Sequence, residues 1–413
     1  MDKRKLLALI GLIVVTIGLA IGIYFVFFRS APAPTPTDVT TPGGGGQLLG
    51  ADGERIPGTG VTTTPDGGPQ GIGTEPGGAS PIADGGITRV RQLVPSGTAN
   101  ITVEGNSGTV QYYDTDTGLF HKILADGTNV VLNDEAPFPN AKDVNWSNAT
   151  DKAIIEFPDG ANVLYNFETK QQVTLPSHWA EFEFSPNDSQ IAAKKLSIDP
   201  SSRYLVIASP DGTSAKNVVA LGQNANKVQV SWSPNDQMVA FSQTGRAIGL
   251  GREQVLVVGK NNENFKALTV EGLGFKPKWS PQGDILLYSS FRQANNLAPE
   301  LWVVRGTADR LGEDRQPLGL STWVEKCTFA NNTTLYCAVP DPDRLPYGIG
   351  FQLALATNTD DSIYKVDLET GRTTLVGKPE GSFTIDSLRV APDESAVYFT
   401  DRITGSLQQM QLQ

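Results

Sequence analysis

The sequence predicts an all-β fold in which a four-stranded unit recurs along the chain. The first observation is the stretch Trp279–Tyr288, whose sequence is Trp-Ser-Pro-Gln-Gly-Asp-Ile-Leu-Leu-Tyr. Pro281 fixes the first turn angle, Gly283 tolerates a positive φ, and the apolar run that follows is typical of a buried strand. The second observation is that this strand-turn-strand pattern recurs, and the third is that most copies are followed by two further strand-like runs.

The copies are spaced too regularly to be independent hairpins. A serine or alanine occupies the same turn position at residues 147, 185, 233, 280, 330 and 391, so the spacings are 38, 48, 47, 50 and 61 residues. Spacings of this size are typical of a supersecondary unit that must stack on its own copies. Runs such as Ser362–Asp367 and Thr373–Val376 supply a third and a fourth strand. Four short strands in each unit predict the blades of a β-propeller.

Two motifs resemble a known repeat. The Trp-Ser-Pro hairpins at 232–236 and 279–283, and the Tyr-Lys-Val-Asp-Leu-Glu-Thr-Gly turn at 364–371, resemble the repeat of TolB-like, or WD-like, β-propeller proteins. The resemblance covers residues 87–413. The Trp-Asp dipeptide of true WD repeats is absent, which favours the TolB-like branch. Such repeats occur in carriers, scaffolds and accessory domains of enzymes, so the resemblance implies a fold and not one activity.

The N-terminal region predicts a membrane anchor. Residues 1–5 form a basic head, and residues 6–28 are 23 uncharged, mostly apolar residues. At 1.5 Å per residue such a helix spans a hydrocarbon core of about 30 Å. The basic residues precede the segment, which predicts a cytoplasmic N-terminus and an extracytoplasmic propeller on a single-pass cell-membrane protein. A cleaved signal peptide is the alternative, although its apolar region would be shorter.

A linker separates the predicted helix from the propeller. Residues 29–86 are rich in glycine, proline and threonine, and no aromatic residue lies between Phe28 and Tyr112. Such a composition cannot bury enough apolar surface to offset its ordering entropy, which predicts a disordered tether. β-Branched and aromatic residues begin near residue 87, so the propeller is predicted over residues 87–413.

The number of blades follows from counting the copies. Six copies and a divergent first blade within residues 101–124 give seven blades, with six or eight as the alternatives. The last copy ends at its third strand, near Leu407–Leu412, and an unpaired sheet edge is a liability. The strand-like stretch Ile87–Val94 precedes the first blade and lacks an obvious partner. We therefore predict that it completes the last blade and closes the ring.

Composition and motifs argue against several functions. The 33 basic and 44 acidic residues give a net charge of −11, and no basic cluster follows the N-terminal head, so a nucleic-acid partner is not predicted. His121 and His178 are the two histidines, no Gly-x-Ser-x-Gly elbow occurs, and the repeated serines are turn residues, so no enzyme activity is predicted. Asp114–Gly118 begins like a calcium loop, but position twelve is Ala125, which favours a β-turn. No cofactor or metal site is predicted.

Two cysteines lie symmetrically about Asn332. Cys327 and Cys337 fall on the two strands of one predicted hairpin, where they would face each other at a spacing that suits a disulfide. An extracytoplasmic location would permit that bond. The alternative is a pair of buried free thiols.

The sixth blade carries a long insert that is the candidate partner-binding loop. Residues 341–359 contain Tyr347 and Phe351 among glycines and prolines, and long loops on rigid scaffolds often bind other molecules. The alternative is an ordered loop that covers the end of the propeller. The polar stretch 357–361, which ends in Asp360 and Asp361, is interpreted as solvated.

Two functional hypotheses remain. The first is a protein-binding or scaffolding module in a cell-envelope assembly, with an unidentified protein partner and an unassigned oligomeric state. The second is binding of a small molecule or glycan, with or without catalysis, at the central channel. A channel lined by convergent charged or aromatic side chains would favour the second, whereas a channel filled by apolar side chains would favour the first.

Overall fold

A computed structural model of the chain describes residues 78–105, 108–249, 251–263, 265–353 and 356–413. The predicted basic head, the membrane helix at 6–28 and most of the linker lie outside these residues. Within the described part, no helix is long and apolar enough to cross a membrane.

The described residues form seven β-sheets, which are the blades of the propeller. Two short strands come first in the chain, β1 (Ile87–Thr88) and β2 (Val90–Val94). Blade 1 contains β3 (Thr98–Val103), β4 (Val110–Asp114), β5 (Leu119–Ile123) and β6 (Asn129–Val131). Blade 2 contains β7 (Asp143–Trp146), β8 (Lys152–Glu156), β9 (Asn162–Asn166) and β10 (Gln172–Leu175). Blade 3 contains β11 (Trp179–Phe184), β12 (Ile191–Lys195), β13 (Tyr204–Ala208) and β14 (Lys216–Ala220).

The remaining blades follow in chain order. Blade 4 contains β15 (Val228–Val230), β16 (Met238–Ser242), β17 (Arg252–Gly259) and β18 (Leu268–Glu271). Blade 5 contains β19 (Leu273–Trp279), β20 (Ile285–Phe291), β21 (Pro299–Arg305) and β22 (Gln316–Pro317). Blade 6 contains β23 (Cys327–Phe329), β24 (Thr334–Val339), β25 (Ser362–Asp367) and β26 (Arg372–Pro379). Blade 7 contains β27 (Ile385–Val390), β28 (Ala396–Asp401) and β29 (Leu407–Gln411).

Short 3-10 helices occupy some of the connections. Their bounds are Pro200–Ser202, Gly222–Lys227, Gln293–Asn295, Val324–Lys326, Pro342–Arg344 and Ile349–Phe351.

The ring closes with a strand from the start of the described chain. β2 pairs antiparallel with β29 and supplies the fourth strand of blade 7, as the sequence predicts. The prediction is wrong for the first two residues of the stretch, because β1 pairs in parallel with β26 and adds a fifth strand to blade 6. Thr88, fully buried, ends β1 before the chain crosses to blade 7. One segment therefore joins two neighbouring blades. The preceding residues also contact them, since Gly85 N donates to Val376 O and Ala83 N donates to Gln411 O.

The hydrophobic core is divided among the junctions between blades. Each blade buries both faces of its middle strands against its two neighbours, as Phe241 of blade 4 does against Phe275 of blade 5. The junction of blades 7 and 1 is filled in the same way by Val94, Ile101 and Leu407. No metal or disulfide framework is needed for a β domain with cores of this kind.

The repeated motif closes the turn between the first and second strands of each blade. Ser280 Oγ accepts a hydrogen bond from Ile285 N at 3.1 Å, and Ser233 Oγ accepts one from Met238 N at 2.9 Å. Gly283 has a φ of +73°, as its turn position predicts. Because strands alternate in direction, these turns all lie at one end of the blades, which we call the turn face. The connections between second and third strands lie at the opposite end, the loop face.

Candidate functional site

The central channel is lined at one repeat position by polar side chains. The first strand of each blade is the innermost, and the residue two positions before the turn serine or alanine points into the channel in all six motif copies. The six residues are Asn145, Glu183, Ser231, Lys278, Thr328 and Arg389, and all of them line a cavity of about 1030 Å³ on the turn-face side. The channel is therefore lined by convergent polar and charged groups and is not filled by apolar side chains, which is the arrangement that favours the second hypothesis.

The neighbouring repeat position explains the tryptophans. The residue directly before the turn serine points away from the axis, because side chains alternate along a strand. Trp146 packs edge-on against Phe120 of blade 1, with ring centroids 5.2 Å apart, and Trp279 stacks on Phe241 of blade 4. The indole N–H of Trp146 donates to Asn100 O at 2.6 Å. These aromatic residues therefore join neighbouring blades.

Two cations share one side of the channel. Lys278 Nζ donates a hydrogen bond to Cys327 O at 2.6 Å, and Arg389 Nη1 donates to Leu388 O at 2.9 Å. Neither side chain has a salt bridge to any residue that the structure describes. The pKa of Lys278 is lowered to about 7, mainly by burial and then by the nearby charge of Arg389, whereas the charge of Glu325 acts in the opposite direction. Burial also lowers the pKa of Arg389.

The acidic side chains of the channel lie mainly on blades 2 and 3 and have partners. Glu181 forms a salt bridge with Lys194 at 2.5 Å, and Asp143 accepts a hydrogen bond from Asn100 at 3.2 Å. Glu183 Oε2 accepts from the backbone N–H of Trp232 at 2.9 Å. Burial raises the pKa of Glu183 to about 7, which weakens its negative charge at neutral pH. The cavity on the turn-face side is thus polarised, with its cations on blades 5 and 7 and its carboxylates on blades 2 and 3.

The insert of blade 6 is an ordered loop that is attached to blades 5 and 6. Gly348 N and Gly350 N donate to Asn296 O and Leu297 O of the blade 5 loop, at 3.0 and 2.9 Å. A Cβ atom on Gly350 would lie 2.3 Å from Leu297 O, so this close approach requires glycine. Leu353 from the same loop lines the channel near the loop face. The insert therefore covers part of the channel mouth.

A buried ion pair attaches the far end of this loop. Lys326 Nζ contacts Asp361 Oδ2, and Asp361 Oδ2 also accepts from Ile385 N at 2.7 Å. Thr359 and Asp361 are buried, so the interpretation of residues 357–361 as a solvated loop is wrong at these two positions. A buried carboxylate needs compensating donors, and Lys326 and the start of blade 7 supply them.

Tyr347 lies at the edge of a groove on the loop face. Its side chain is 72 % exposed, although the loop on either side of it is anchored. The groove, of about 640 Å³, lies between blades 5 and 6. Six of the fourteen residues of its wall are prolines and leucines: Leu301, Pro317, Leu320, Pro342, Leu345 and Pro346. Arg292, held by Glu300 through two hydrogen bonds at 2.7 and 2.8 Å, adds a charged group to the wall.

The other residues singled out by the sequence lie elsewhere. Cys327 and Cys337 are opposite each other in β23 and β24, are fully buried, and are joined by a disulfide bond. Phe351 has its backbone in the helix Ile349–Phe351, whereas its side chain lies outside the described part of the structure. The groove and the cysteine pair are separate sites.

The described histidines are not arranged for catalysis. His121 stacks on Tyr112, with ring centroids 5.0 Å apart, and Nδ1 contacts Asn129. His178 is exposed in the connection before β11. Asp114 accepts from Asp116 N at 2.8 Å, which is the β-turn that the sequence favours. No group of three or more histidine, cysteine, aspartate or glutamate residues in the described ranges is placed to hold a metal ion.

A pattern in the sequence marks the channel residues, although it lies outside the turn motif itself. All six motif copies have a polar residue two positions before the turn serine or alanine, and an apolar residue follows it directly in each copy. Alternation along a strand places that position opposite the packed tryptophan. The pattern identifies the residues that face the axis once the first strand is known to be innermost.

Comparisons with known proteins identify the architecture. No protein-family model matches the chain, and no curated protein matches it. The Cps50 (Swd1) β-propeller domain of Myceliophteria thermophila aligns with 78 % of this chain and 98 % of its own, at 11 % identity and a TM-score of 0.52. The oligogalacturonate lyase of Vibrio parahaemolyticus aligns with 78 % of this chain and 93 % of its own, at 10 % identity and a TM-score of 0.53.

The tricorn protease shows the same likeness over part of its length. It aligns with 78 % of this chain and 34 % of its own, at 11 % identity and a TM-score of 0.50. At such identities the likeness extends to the seven-bladed propeller fold alone, and this fold is shared by proteins with different activities.

Proposed function

We propose that this protein is a membrane-anchored, extracytoplasmic binding module that recruits a protein partner in the cell envelope through the loop face of its propeller. The observation that carries the proposal is Tyr347, an aromatic side chain that is 72 % exposed on a loop whose backbone is held by blade 5. A rigid, exposed tyrosine offers a large contact area at low entropic cost, and for this reason tyrosine is common in the energetic centres of interfaces.

The groove beside Tyr347 defines the chemistry of the partner. The prolines and leucines of its wall offer apolar contacts to a side chain of an extended peptide segment, and Tyr347 adds an aromatic surface of the kind on which extended segments dock. The Arg292–Glu300 pair offers hydrogen-bonding groups to the backbone of that segment. The partner we propose is therefore a protein that inserts an extended apolar segment.

Other exposed apolar residues support the choice of this face. Large exposed apolar side chains at the loop face, in addition to Tyr347, are Leu196, Ile198, Leu273 and Ile403. Ile198 is 99 % exposed at the tip of the blade 3 loop. Seven other large apolar side chains of the described residues are exposed on the third and fourth strands of the blades and in the segment before β2, so the loop-face residues form a local group that adds to the argument from Tyr347.

The path of the chain agrees with this orientation. Ala83 N bonds to Gln411 O and Leu412 N bonds to Ser395 O, so the chain enters the propeller beside the blade 7 turn, at the turn face. A tether formed by residues 29–86 would attach to the propeller there. The predicted helix at 6–28 would supply the anchor.

A pulldown from gently solubilised membranes tests the proposal. A photo-crosslinking residue at Asp343, which is exposed in the same loop, should capture a discrete envelope protein. Tyr347→Ala should remove the adduct without lowering the melting temperature, because an exposed ring contributes little to folding. Val173→Ala, which truncates an exposed apolar side chain on the outer strand of blade 2, is the matched control and should retain it. A folded, membrane-bound protein that gives no adduct would contradict the proposal.

Ligand binding in the channel is the second candidate function. The polar ring of the first strands favours it, because an ordinary structural channel has no need for two cations without salt bridges. This candidate is compatible with partner binding at the loop face, since the polar ring lines the cavity on the turn-face side.

A further inference from the structure

We propose that Lys278, Thr328 and Arg389 form a binding site for an oxyanion, the phosphate or carboxylate group of a small ligand that enters the channel from the turn face. These residues occupy the same repeat position in blades 5, 6 and 7, so they follow one another around the channel wall. All three line the cavity of about 1030 Å³ on that side.

The donors of this site are only partly used by the protein. A lysine ammonium has three N–H donors and a guanidinium has five. Lys278 uses one donor for Cys327 O, and the described hydrogen bonds of Arg389 comprise one, to the carbonyl of its own neighbour Leu388. Several donors on each cation therefore face the cavity. A guanidinium beside an ammonium is a common arrangement for binding phosphate and carboxylate groups.

The negative side chains nearby do not satisfy these cations. Described salt bridges pair Glu181 with Lys194 and Asp386 with Arg402. The charge of Glu325 raises the pKa of Lys278, but the two side chains form no described salt bridge. Glu325 and Asp386 line a neighbouring cavity together with both cations, whereas the acidic side chains that line the turn-face cavity all belong to blades 2 and 3. The two half-buried cations therefore leave a positive potential on their side of the turn-face cavity. An anion would complete this arrangement.

Proton uptake would accompany binding. Burial and Arg389 hold the pKa of Lys278 near 7, so at about pH 7.5 much of Lys278 is neutral. A bound anion favours the ammonium form and would draw in up to about one proton for each anion bound. Other titratable or charged side chains that line the channel and would respond less directly are Asp143, Glu181, Glu183, Lys276, Glu325 and Asp386.

Isothermal titration calorimetry on the full-length chain in detergent tests the site. The probes are sulfate and malonate, at low ionic strength and about pH 7.5, where neither anion titrates. Saturable binding is expected, and Arg389→Gln should weaken it about tenfold or more, because a charged hydrogen bond is lost. Tighter binding of sulfate would indicate a phosphate group, whereas tighter binding of malonate would indicate a carboxylate.

Two controls separate the site from diffuse attraction and from misfolding. Lys266→Gln removes an exposed lysine on the outside of blade 4 and should leave the affinity unchanged. Titration in two buffers of different ionisation enthalpy should show proton uptake, and Lys278→Gln should abolish it. If Lys278→Gln fails to fold, the affinity of Arg389→Gln tests the site. This variant is expected to fold, because the described hydrogen bond of Arg389 is to the adjacent residue Leu388. Heats that do not saturate, or equal binding by the wild type and Arg389→Gln, would overturn the proposal.

Discussion

Lys326 Nζ lies 2.5 Å from Asp361 Oδ2, and both side chains are completely shielded from solvent. The pair joins the segment before blade 6 to the end of the loop that carries Tyr347. Asp361 also accepts a hydrogen bond from Ile385 N at 2.7 Å, which extends the connection to blade 7. The far end of the candidate binding loop is therefore held by a buried ion pair, in addition to the hydrogen bonds of Gly348 and Gly350 to blade 5.

Removal of one partner of this pair should destabilise the propeller strongly. Lys326→Met leaves Asp361 buried without its counter-charge, and we expect a loss of about 3–5 kcal/mol in the free energy of unfolding. Urea denaturation measures the change. Arg310→Met, which removes an exposed ion pair with Glu313, is the control and should leave the unfolding midpoint unchanged. Equal effects of the two variants would show that the buried pair has no special role.

The strand that closes the ring should matter more than the strand that precedes it. Replacement of Val90–Val94 by a Gly/Ser stretch of the same length leaves blade 7 with three strands, and we expect a loss on the order of 4 kcal/mol and a broader urea transition. Replacement of Ile87–Thr88 should cost less, because blade 6 keeps four strands. The closure is refuted if the first replacement melts like the wild type.

The cysteines should be unreactive in the folded and the unfolded protein alike. Cys327 and Cys337 are joined by a disulfide bond that unfolding does not break, so a thiol reagent added in denaturant without reductant should label neither. The double variant Cys327→Ala/Cys337→Ala should lose up to about 3 kcal/mol, because the cross-link closes a loop with a sequence separation of 10. Mass spectrometry measures how many cysteines are labelled. Two labelled thiols would favour the free-thiol alternative.

The channel residues should give the free energy of unfolding opposite slopes on the two sides of pH 7. The pKa of Glu183 is raised from 4.5 to about 7, so the native state holds a proton that the unfolded state has lost in that window. Stability from this group is present below 4.5 and falls as the pH rises to about 7. The pKa of Lys278 is lowered from 10.5 to about 7, so stability from this group rises between about 7 and 10.5.

Unfolding measurements at about pH 5, 7 and 9 test these slopes. Glu183→Gln should reduce the change in the free energy of unfolding between pH 5 and 7, and Lys278→Gln should reduce the change between pH 7 and 9. Each reduction should be roughly 1–2 kcal/mol, a modest value because channel water screens both groups. Each variant serves as the control for the other, since their windows meet only near pH 7. Unchanged slopes in both variants would contradict the burial of these charges.

The sequence predicted the blades because their information is local. The turn after Trp279 depends on Pro281 and Gly283, which act on neighbouring residues, and six copies repeat that chemistry. The closing strand could be predicted because an unpaired edge requires a partner. The segment 87–94 contributes Ile87–Thr88 to blade 6 and Val90–Val94 to blade 7. This division depends on packing between the two blades, and no local sequence pattern encodes it.

Long-range pairing explains what the sequence did not reveal. Asp361 is one of two adjacent aspartates in a polar stretch, and its partner Lys326 lies 35 residues earlier, so solvation was the natural expectation. Lys278 and Arg389 lie on strands of different blades, and their shared cavity exists only after the ring has closed. The exposure of Tyr347 was likewise decided by contacts of the loop with blade 5.

The choice of face is the central claim, and paired photo-crosslinking tests it most directly. One variant carries the crosslinker at Asp343 on the loop face, and the other carries it at Gln282, which is exposed in the blade 5 turn on the turn face. Both are expressed as the full-length chain and irradiated in intact cells. Binding at the loop face predicts a partner adduct from Asp343 and none from Gln282. An adduct from Gln282 alone would contradict the proposed function and place the interaction at the turn face.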